Sequence, residues 1–521
     1  MKSARRYLTT PLYYVNAKPH LGHSYTTILV DVIKRHLVQR GNPVIALTGT
    51  DEHGEKIEQM AKAAGQDPKA FADEISGHFR ETWKQMHLDF DIFYRTTDAS
   101  HVKKVQQALT KLKDQGDIVY REYTGNYCLG CERFRTDAEL TADGLCPDHQ
   151  KKPEARSEAN YFFLMSKYQK RLIDHIEKNP SFIEPAHYKN EVLAFLKQPL
   201  EDLSISRPKS RLKWGIELPF DSNHVTYVWF DALLNYLNAT GWPDQFDQAL
   251  WESVTHFTAK DILKPHGIYW PTMLMALNVP QYKTLQVHGY WLMGQSKMSK
   301  SLGNVVRPLE VEEKYGRETL RFFLLREMSF GLDSSFTLEN YVTCINAYLA
   351  NGIGNLVSRV LTIALKNFPG TLALDEKTLT AEDKKALEAR ASALSQWDQG
   401  FDELKYQNSL KAWSDLVTAV DLYVNEMKPW ALAKAAGTGD ATATERLKTV
   451  MGVCLRLIQA AAVIIYPVLP RASLDILKTL GVQFSGPAPD SKLALEDRRE
   501  FKLGAEVPKL FMRVQLPSVD A

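Results

Sequence analysis

The segment from residue 10 to residue 23 constrains the fold most, because its pattern indicates a strand end, a loop and the start of a helix. Apolar side chains recur at helical spacing in residues 24–38, which predicts the helix. Residues 43–50 form an apolar run without alternation, as in a strand buried on both faces, and a polar loop at 51–54 and a helical stretch follow. Two consecutive strand–loop–helix units predict a parallel α/β sheet that binds ligands at the carboxyl ends of its strands.

Two histidines stand at the start of the first predicted helix. His20 and His23 are three residues apart and so lie on one face of the first turn, and Gly22 between them lets a ligand approach the backbone. With the free N–H groups and the positive end of the helix dipole, they predict an anion site that suits phosphate. The alternative is a pair of surface histidines in a capped turn. The segment lacks the Gly-x-Gly-x-x-Gly fingerprint, which argues against an ordinary NAD enzyme.

A second candidate phosphate site lies far along the chain. Residues 294–304 include glycine and hydroxyl residues around Lys297 and Lys300, a composition typical of a mobile basic loop that closes over a polyphosphate. An ordinary exposed turn is the alternative. Residues 206–214 are also basic and end in a tryptophan. They are predicted to be a solvated strand, with a phosphate-facing edge as the alternative.

A cysteine and histidine cluster interrupts the α/β pattern. Its members are Cys128, Cys131, Cys146 and His149. Two residues between the first two cysteines is a spacing that lets both bind one tetrahedral ion. Four protein ligands leave no open position, so we expect one structural zinc ion in a segment too small for its own core. The alternative is four unrelated residues around a solvated loop. Strand patterns at 224–230 and 285–291 place this segment inside the α/β domain as an insertion.

The second half of the chain is predicted to be helical. Beyond residue 337, apolar side chains recur at spacings of three and four, which predicts a helical bundle. Cys344 and Cys454 fall within these stretches and are expected to be core thiols. The segment after Gly486 is proline-rich and is expected to pack back as an extended strap.

Length, charge and cysteine content indicate the number of domains and the cellular compartment. A chain of 521 residues is too long for one core, and its net charge of +2 without a basic tail leaves nucleic-acid contacts to local patches. Five cysteines, three of them clustered, indicate metal in a reducing compartment rather than disulfides. The N-terminus has no signal-peptide pattern, and the most apolar run, 460–469, is too short to cross a membrane. A cytoplasmic protein without membrane contact is expected.

These motifs together resemble a known family. His-Leu-Gly-His at 20–23 and Lys-Met-Ser-Lys-Ser at 297–301 resemble the signature pair of the class I aminoacyl-tRNA synthetases. Within that class, the chain is most similar to the methionyl-tRNA synthetase family, and the resemblance covers essentially the whole chain. It rests on residues 9–16, 48–54, 227–232 and 287–290 and on the Cys3His cluster.

The resemblance implies a Rossmann-type catalytic domain with a zinc-knuckle insertion, followed by an α-helical anticodon-binding bundle. The implied limits are 1–115 and 224–290 for the catalytic domain, 116–223 for the insertion, 291–340 for the lysine loop and stem-contact region, and 341–521 for the bundle. The implied reaction joins methionine to tRNA(Met), initiator and elongator, with ATP and Mg²⁺. The chain ends without the extra dimerisation domain of some relatives, so a monomer is expected.

The resemblance also implies roles for individual residues. Phosphate binding and catalysis fall to His20, His23, Lys297 and Lys300, with Gly22, Asp261 and Ser299 also at the ATP. The methionine pocket is expected to consist of Pro11, Leu12, Tyr14, Asp51, Trp229, Ala232, Leu233, Tyr236 and His288, with Asp51 on the ammonium group. The anticodon would be read by Asn355, Arg359 and Trp430. The alternative interpretation of Trp430 is a structural side chain buried between helices. Ala259 stands where the family usually has glycine, which puts the ribose contact of Asp261 in question.

Three other functions compete with this interpretation. A small-molecule nucleotidyltransferase also uses a His-x-Gly-His turn, but it needs neither the helical half nor the lysine loop. A zinc-dependent RNA-binding module would leave the phosphate sites and the aromatic residues without a purpose. A cysteinyl-type ligase would hold its substrate thiol on zinc, whereas this zinc site already has four protein ligands.

Overall fold

The structure is a computed structural model that describes residues 5–131, 133–135, 137–293, 296–297 and 306–516. The chain forms two compact units, Met1–Pro19 with Val44–Gly289 and His20–Pro43 with Tyr290–Ala521. The strands of the first unit are Arg6–Tyr14 (β1), Val44–Asp51 (β2), Ile92–Arg95 (β3), Ile118–Cys128 (β4), Arg133–Arg135 (β5), Glu154–Phe163 (β6), Ile183–Glu184 (β7), Leu203–Ser204 (β8), Ser206–Pro208 (β9), Glu217–Leu218 (β10), Asp221–Thr226 (β11), Thr255–Ala259 (β12) and Thr284–His288 (β13). Those of the second unit are Trp291–Met293 (β14), Ser296–Lys297 (β15), Ser334–Phe336 (β16), Thr371–Ala373 (β17) and Glu500–Lys502 (β18).

The helices divide between the same two units. Leu21–Gln39 (α1) belongs to the second unit. The helices of the first unit are Glu55–Ala63 (α2), Pro68–Gln85 (α3), Ala99–Asp114 (α4), Gln169–Lys178 (α5), Ala186–Phe195 (α6), Val228–Leu233 (α7), Asn235–Asn238 (α8), Gln248–Trp251 (α9) and Trp270–Leu277 (α10). The other helices of the second unit are Pro308–Tyr315 (α11), Thr319–Glu327 (α12), Leu338–Ile345 (α13), Asn355–Asn367 (α14), Ala381–Asp402 (α15), Tyr406–Met427 (α16), Pro429–Ala436 (α17), Ala441–Ile465 (α18) and Pro470–Thr479 (α19).

A six-stranded parallel sheet forms the centre of the first unit. Its order is β3-β2-β1-β12-β13-β7, and all five neighbouring pairs are parallel. The order reverses between β1 and β12, the position where open α/β sheets bind ligands. Gly49 in β2 is required by close packing, because a Cβ there would lie 1.9 Å from the carbonyl oxygen of Tyr94 in β3. The predicted parallel sheet is confirmed.

The cysteine-rich insertion lies between β3 and β12 in the chain, as predicted. It contains a four-stranded sheet of order β5-β4-β6-β8 and a three-stranded sheet of order β10-β11-β9. The strand predicted at 224–230 is wrong in two respects. Strand β11 ends at Thr226 and pairs antiparallel with β9 and β10 rather than in the parallel sheet, and helix α7 begins at Val228.

The prediction of a solvated strand at 206–214 is wrong at its start. Ser206 and Arg207 in β9 are buried. The Arg207 guanidinium lies 4.7 Å from the centroid of the Tyr227 ring and donates to the hydroxyl of Ser204 and the carbonyl of Ser206. Stacking on an aromatic face and hydrogen bonds to oxygens offset the cost of burying this charge.

The second unit is mainly helical, as predicted. Cys344 and Cys454 are buried in α13 and α18, and the proline-rich tail returns as β18, which pairs with β17. Within the described residues, α18 is the one helix long and apolar enough to cross a membrane, and 94% of its most apolar window is buried inside the protein. Such burial is typical of a core helix.

Candidate active site

The carboxyl edge of the parallel sheet gathers three of the predicted site residues. Tyr14 pairs with Asp51 at the ends of β1 and β2, and Ala259 pairs with His288 at the ends of β12 and β13. These strands flank the point where the strand order reverses. The register therefore places Tyr14, Asp51 and His288 at the edge where such a sheet binds ligands.

Helices α7 and α8 supply the predicted aromatic wall. Trp229, Leu12 and Tyr14 are half-buried and pack against the core cluster that contains Leu233 and Tyr236. Pro11 and Ala232 are buried as well. The nine residues predicted for the methionine pocket thus all belong to the first unit, and they lie on β1, β2, β13 and the two short helices.

The polar groups of this wall are uncharged. The Tyr236 hydroxyl donates to Nε2 of His266 at 3.0 Å, because Nδ1 of His266 donates to the carbonyl of Ile262. Burial, with smaller contributions from Tyr13 and Asp51, raises the pKa of Tyr236. Burial also lowers the pKa of His288 to about 4, and its Nδ1 donates to the carbonyl of Gly289 at 2.7 Å. Both rings are therefore neutral at pH 7, as a site for an apolar side chain requires.

The loop that follows Asp51 at the end of β2 is held by Glu52. The buried Glu52 carboxylate accepts two hydrogen bonds from Arg95, at 2.7 and 2.8 Å, and others from Thr50 and Thr97. The indole of Trp214 donates to the Glu52 carbonyl at 2.5 Å. The roles of Glu52 and Arg95 were not predicted; the one available signal was an acidic residue directly after a strand buried on both faces.

The two signature histidines cap helix α1 in the second unit. Nδ1 of His20 accepts from the N–H of Gly22 at 3.1 Å, and Nδ1 of His23 accepts from the N–H of His20 at 3.3 Å, a reciprocal capping box. The two rings stack with centroids 3.7 Å apart. Because each Nδ1 is an acceptor here, each neutral ring has its proton on Nε2, so the helix start carries two ring N–H groups in addition to its dipole.

The structure describes some of the remaining predicted ATP residues and not others. Asp261 is exposed in a short 3₁₀ turn that follows β12, and Ala259 precedes that turn in extended conformation. The backbone of Lys297 lies in β15, which pairs with β14. Ser299 and Lys300 lie outside the described residues.

The cysteine cluster assembles as predicted. The ligand atoms of Cys128, Cys131, Cys146 and His149 all lie within 4.8 Å of one another. The Cys131 and Cys146 sulfurs are 3.6 Å apart, and Nδ1 of His149 lies 3.3–3.9 Å from the three sulfurs. Zn–S and Zn–N bonds of about 2.3 and 2.0 Å in a tetrahedron put the ligand atoms roughly 3.5–3.8 Å apart. The donor set therefore fits zinc.

The surroundings of the cluster support this fit. A Cβ at position 130 would lie 2.5 Å from the His149 ring, so Gly130 is required for the histidine to reach the cysteines. Arg135 donates to the Cys131 sulfur at 2.8 Å and also pairs with Asp148. A positive charge next to a cysteine sulfur favours the thiolate form that metal binding needs.

The three predicted anticodon residues share one face of the helical unit. Asn355 and Arg359 are one turn apart on α14, and Arg359 donates to Asp421 at 2.6 Å and to Asn425 at 2.8 Å on α16. Its guanidinium carbon lies 5.7 Å from the centroid of the Trp430 ring. Trp430 is 45% exposed, which excludes the alternative of a tryptophan buried between helices.

This chain shares a parallel sheet with a switch point, a helix capped by a His-x-Gly-His motif and a further helical unit with the class I aminoacyl-tRNA synthetases. The family model described as "tRNA synthetases class I (M)" matches residues 6–152 and 143–361. The chain belongs to the methionyl-tRNA synthetase family.

Three relatives illustrate this membership. The chain is 40% identical over 481 residues to the methionine–tRNA ligase of Caldanaerobacter subterraneus subsp. tengcongensis, covering 91% of this chain and 74% of the relative. It is 41% identical over 483 residues to that of Clostridium acetobutylicum, covering 92% and 73%. Mycobacterium tuberculosis methionyl-tRNA synthetase in complex with methionyl-adenylate matches with a TM-score of 0.91 and 35% identity, covering 98% of this chain and 100% of that one.

Proposed function

We propose that this chain carries out the two-step reaction of its family, as a methionine–tRNA ligase of translation initiation and elongation. A carboxylate oxygen of L-methionine attacks the α-phosphorus of ATP, and pyrophosphate leaves. A terminal hydroxyl of tRNA(Met), initiator or elongator, then attacks the acyl carbon of methionyl-adenylate, and AMP leaves. Family membership together with the neutral aromatic wall beside Asp51 carries the proposal.

The phosphate chemistry is assigned to the two signatures. His20 and His23 would donate from Nε2 to phosphate oxygens, and Lys297 and Lys300 would add charge as the phosphorus becomes pentavalent. Gly22, Ser299 and Asp261 complete the proposed ATP contacts, and Mg²⁺ enters with ATP. Preorganised donors aimed at developing charge lower the barrier without a protein nucleophile.

Methionine selection is assigned to the pocket in the first unit. The thioether has no strong hydrogen-bonding group, so an aromatic, uncharged wall suits it. Asp51 would bind the ammonium group at the end of β2. A competitor that lacks one methyl group differs in binding by only about 1–3 kcal/mol, so homocysteine is a difficult mimic.

Asp51→Asn tests the ammonium assignment. The change keeps the size of the side chain and removes its charge, and loss of one partner of a buried ion pair costs about 3–5 kcal/mol. We expect kcat/KM for methionine in pyrophosphate exchange to fall about 150- to 5,000-fold while KM for ATP stays within about twofold. An unchanged kcat/KM for methionine would overturn the assignment.

The helical unit is assigned to the anticodon. Trp430 offers an exposed face on which an unstacked base can lie, a contact worth about 1–3 kcal/mol. Arg359 and Asn355 lie beside it with groups that can hydrogen-bond base edges.

Trp430→Ala is expected to raise KM for tRNA(Met) by about 5- to 150-fold and to leave methionine-dependent pyrophosphate exchange unchanged, because that partial reaction needs no anticodon. Leu474→Ala, at a large side chain 38% exposed in the same unit, is the matched control and should change neither. Equal effects of the two substitutions on KM for tRNA would contradict the assignment.

The Cys3His cluster is assigned one structural Zn²⁺. Bound there, the ion would cross-link the two turns that carry its ligands and take no part in the reaction. We also propose the domain limits predicted from the sequence and a cytoplasmic location.

The proposed reaction is tested by pyrophosphate exchange into ATP with each of the twenty amino acids in turn, followed by aminoacylation of purified tRNA(Met). Exchange should depend on methionine, and charging should require the methionine anticodon. Exchange with no preference for methionine would overturn the proposal.

A further inference from the structure

A fully buried carboxylate links two parts of the proposed methionine pocket. Asp231 in α7 is 0% exposed, and both of its oxygens contact imidazoles. Oδ2 lies 2.6 Å from Nδ1 of His53, and Oδ1 lies 2.6 Å from Nε2 of His101. The three side chains form a His–Asp–His bridge, named here the Asp231 bridge.

The hydrogen-bond partners decide which ring nitrogens are protonated. Nδ1 of His101 lies 3.1 Å from the amide nitrogen of Asn238 and 3.1 Å from the Tyr94 hydroxyl. The amide nitrogen only donates, so Nδ1 accepts and Nε2–H donates to Asp231. Burial alone would raise the pKa of Asp231, but His53 and His101 hold it below its ordinary value. Asp231 is therefore an anion that accepts from both imidazoles.

The bridge joins residues that are adjacent to the pocket in the chain. Asp231 stands between Trp229 and Ala232, and His53 follows Asp51 by two residues. The His53 ring centroid also lies 5.3 Å from that of Trp214, whose carbonyl accepts from the N–H of Gly54 at 3.1 Å. His53 is thus fixed on both sides, and its link to α7 passes through Asp231.

We propose that Asp231 is a positioning residue for methionine, whose carboxylate fixes the ammonium site at Asp51, at the end of β2, relative to the apolar wall on α7. Methionine must contact both parts at once, through its ammonium group and its thioether chain. A change in the distance between the Asp51 site and the apolar wall weakens methionine binding even when both parts keep their own structure. The inference rests on the proposed methionine pocket.

An amide at position 231 cannot replace the carboxylate. Asparagine offers one accepting oxygen and one donating nitrogen, whereas both His53 Nδ1 and His101 Nε2 present protons. One of the two contacts becomes a donor–donor contact, and the bridge opens on that side.

Asp231→Asn is therefore expected to raise KM for methionine about tenfold or more in pyrophosphate exchange, with KM for ATP within twofold. Asp117→Asn is the matched control: this buried carboxylate accepts from Lys167 at 3.0 Å and from Tyr168 at 2.8 Å in the insertion. It should change neither KM. Equal rises in both KM values for Asp231→Asn, or an unchanged KM for methionine, would overturn the proposal.

A pair of variants at His53 makes the test independent of whether Asp231→Asn folds. Asparagine places its amide nitrogen near the position of Nδ1, so His53→Asn should keep the hydrogen bond and a KM for methionine within threefold of wild type. His53→Ala should raise that KM about tenfold. Equal KM values for the two variants would show that the hydrogen bond to Asp231 does not set methionine affinity.

A double-mutant cycle separates positioning from other roles and from failure of the pocket itself. If Asp231 acts by placing Asp51, Asp231→Asn should raise KM for methionine less than twofold when Asp51 is already Asn. A full tenfold rise in that background would overturn the positioning role. A normal KM and kcat/KM for methionine in Asp51→Asn alone would overturn the proposed ammonium site, whereas a normal KM in Asp231→Asn beside an impaired Asp51→Asn overturns only the bridge.

Discussion

His20→Asn is expected to slow methionine-dependent pyrophosphate exchange about 10²–10³-fold without a loss of stability. Asparagine is among the best N-cap residues, so its side-chain oxygen takes over the hydrogen bond that Nδ1 of His20 accepts from Gly22. It is too short to present a donor where Nε2 of the imidazole lies. Removal of one preorganised donor to a developing negative charge typically costs this much rate. His23→Asn should behave similarly, because it removes the second Nε2–H donor.

Two controls separate the phosphate role from the capping role. His20→Ala removes both the donor and the cap, so it should lose the same activity and also about 0.5–2 kcal/mol of stability. Thr380→Ala breaks the capping box that Thr380 and Asp383 form at the start of α15 and should lower stability alone. Thermal unfolding and exchange rates are measured for all variants. Near wild-type exchange by His20→Asn would show that the imidazole serves only as a helix cap.

Features defined by local spacing could be predicted from the sequence. The strands β1 and β2 and helix α1 were predicted from runs and periods within a few residues, and the zinc ligands from two short spacings. Such signals need no knowledge of partners far along the chain. Their physical basis is local: burial on both faces, helical periodicity and the reach of two side chains to one ion.

Residues whose role depends on distant partners could not be predicted. Asp231 lies in an apolar helical segment, and its partners His53 and His101 precede it by 178 and 130 residues. Arg207 was predicted to be solvated because a basic run usually is, yet the Tyr227 ring and two oxygens bury it. The residue pattern at 224–230 gave no sign that the strand ends at Thr226 and that a helix begins at Val228. In each case tertiary contacts overrode the local pattern.

Cys146→Ser is expected to abolish zinc binding and to unfold the segment between residues 128 and 149 locally. Cys146 is fully buried, and its sulfur lies 3.6 Å from that of Cys131 and 3.7 Å from Nδ1 of His149. A serine hydroxyl is a poor ligand beside thiolates, and the site then has three strong ligands instead of four. Structural zinc contributes about 10–16 kcal/mol of apparent binding free energy in small domains, so its loss is expected to unfold this segment. The zinc content measured by elemental analysis after dialysis should fall from one ion per chain to near zero. Amide hydrogen exchange of the segment should accelerate.

Cys454→Ser is the matched control, because it makes the same chemical change at a fully buried cysteine in α18. It should lower global stability through a buried hydroxyl and retain one zinc per chain, with normal amide exchange in residues 128–149. Chelation of wild-type protein should reproduce the Cys146→Ser exchange pattern, while the parallel sheet of the first unit stays protected because its core cluster does not include the four ligands. A wild-type chain without zinc, or a Cys146→Ser chain that retains it, would contradict the structural-zinc assignment; loss of protection across the whole first unit would instead mean that the cluster stabilises the sheet as well as the insertion.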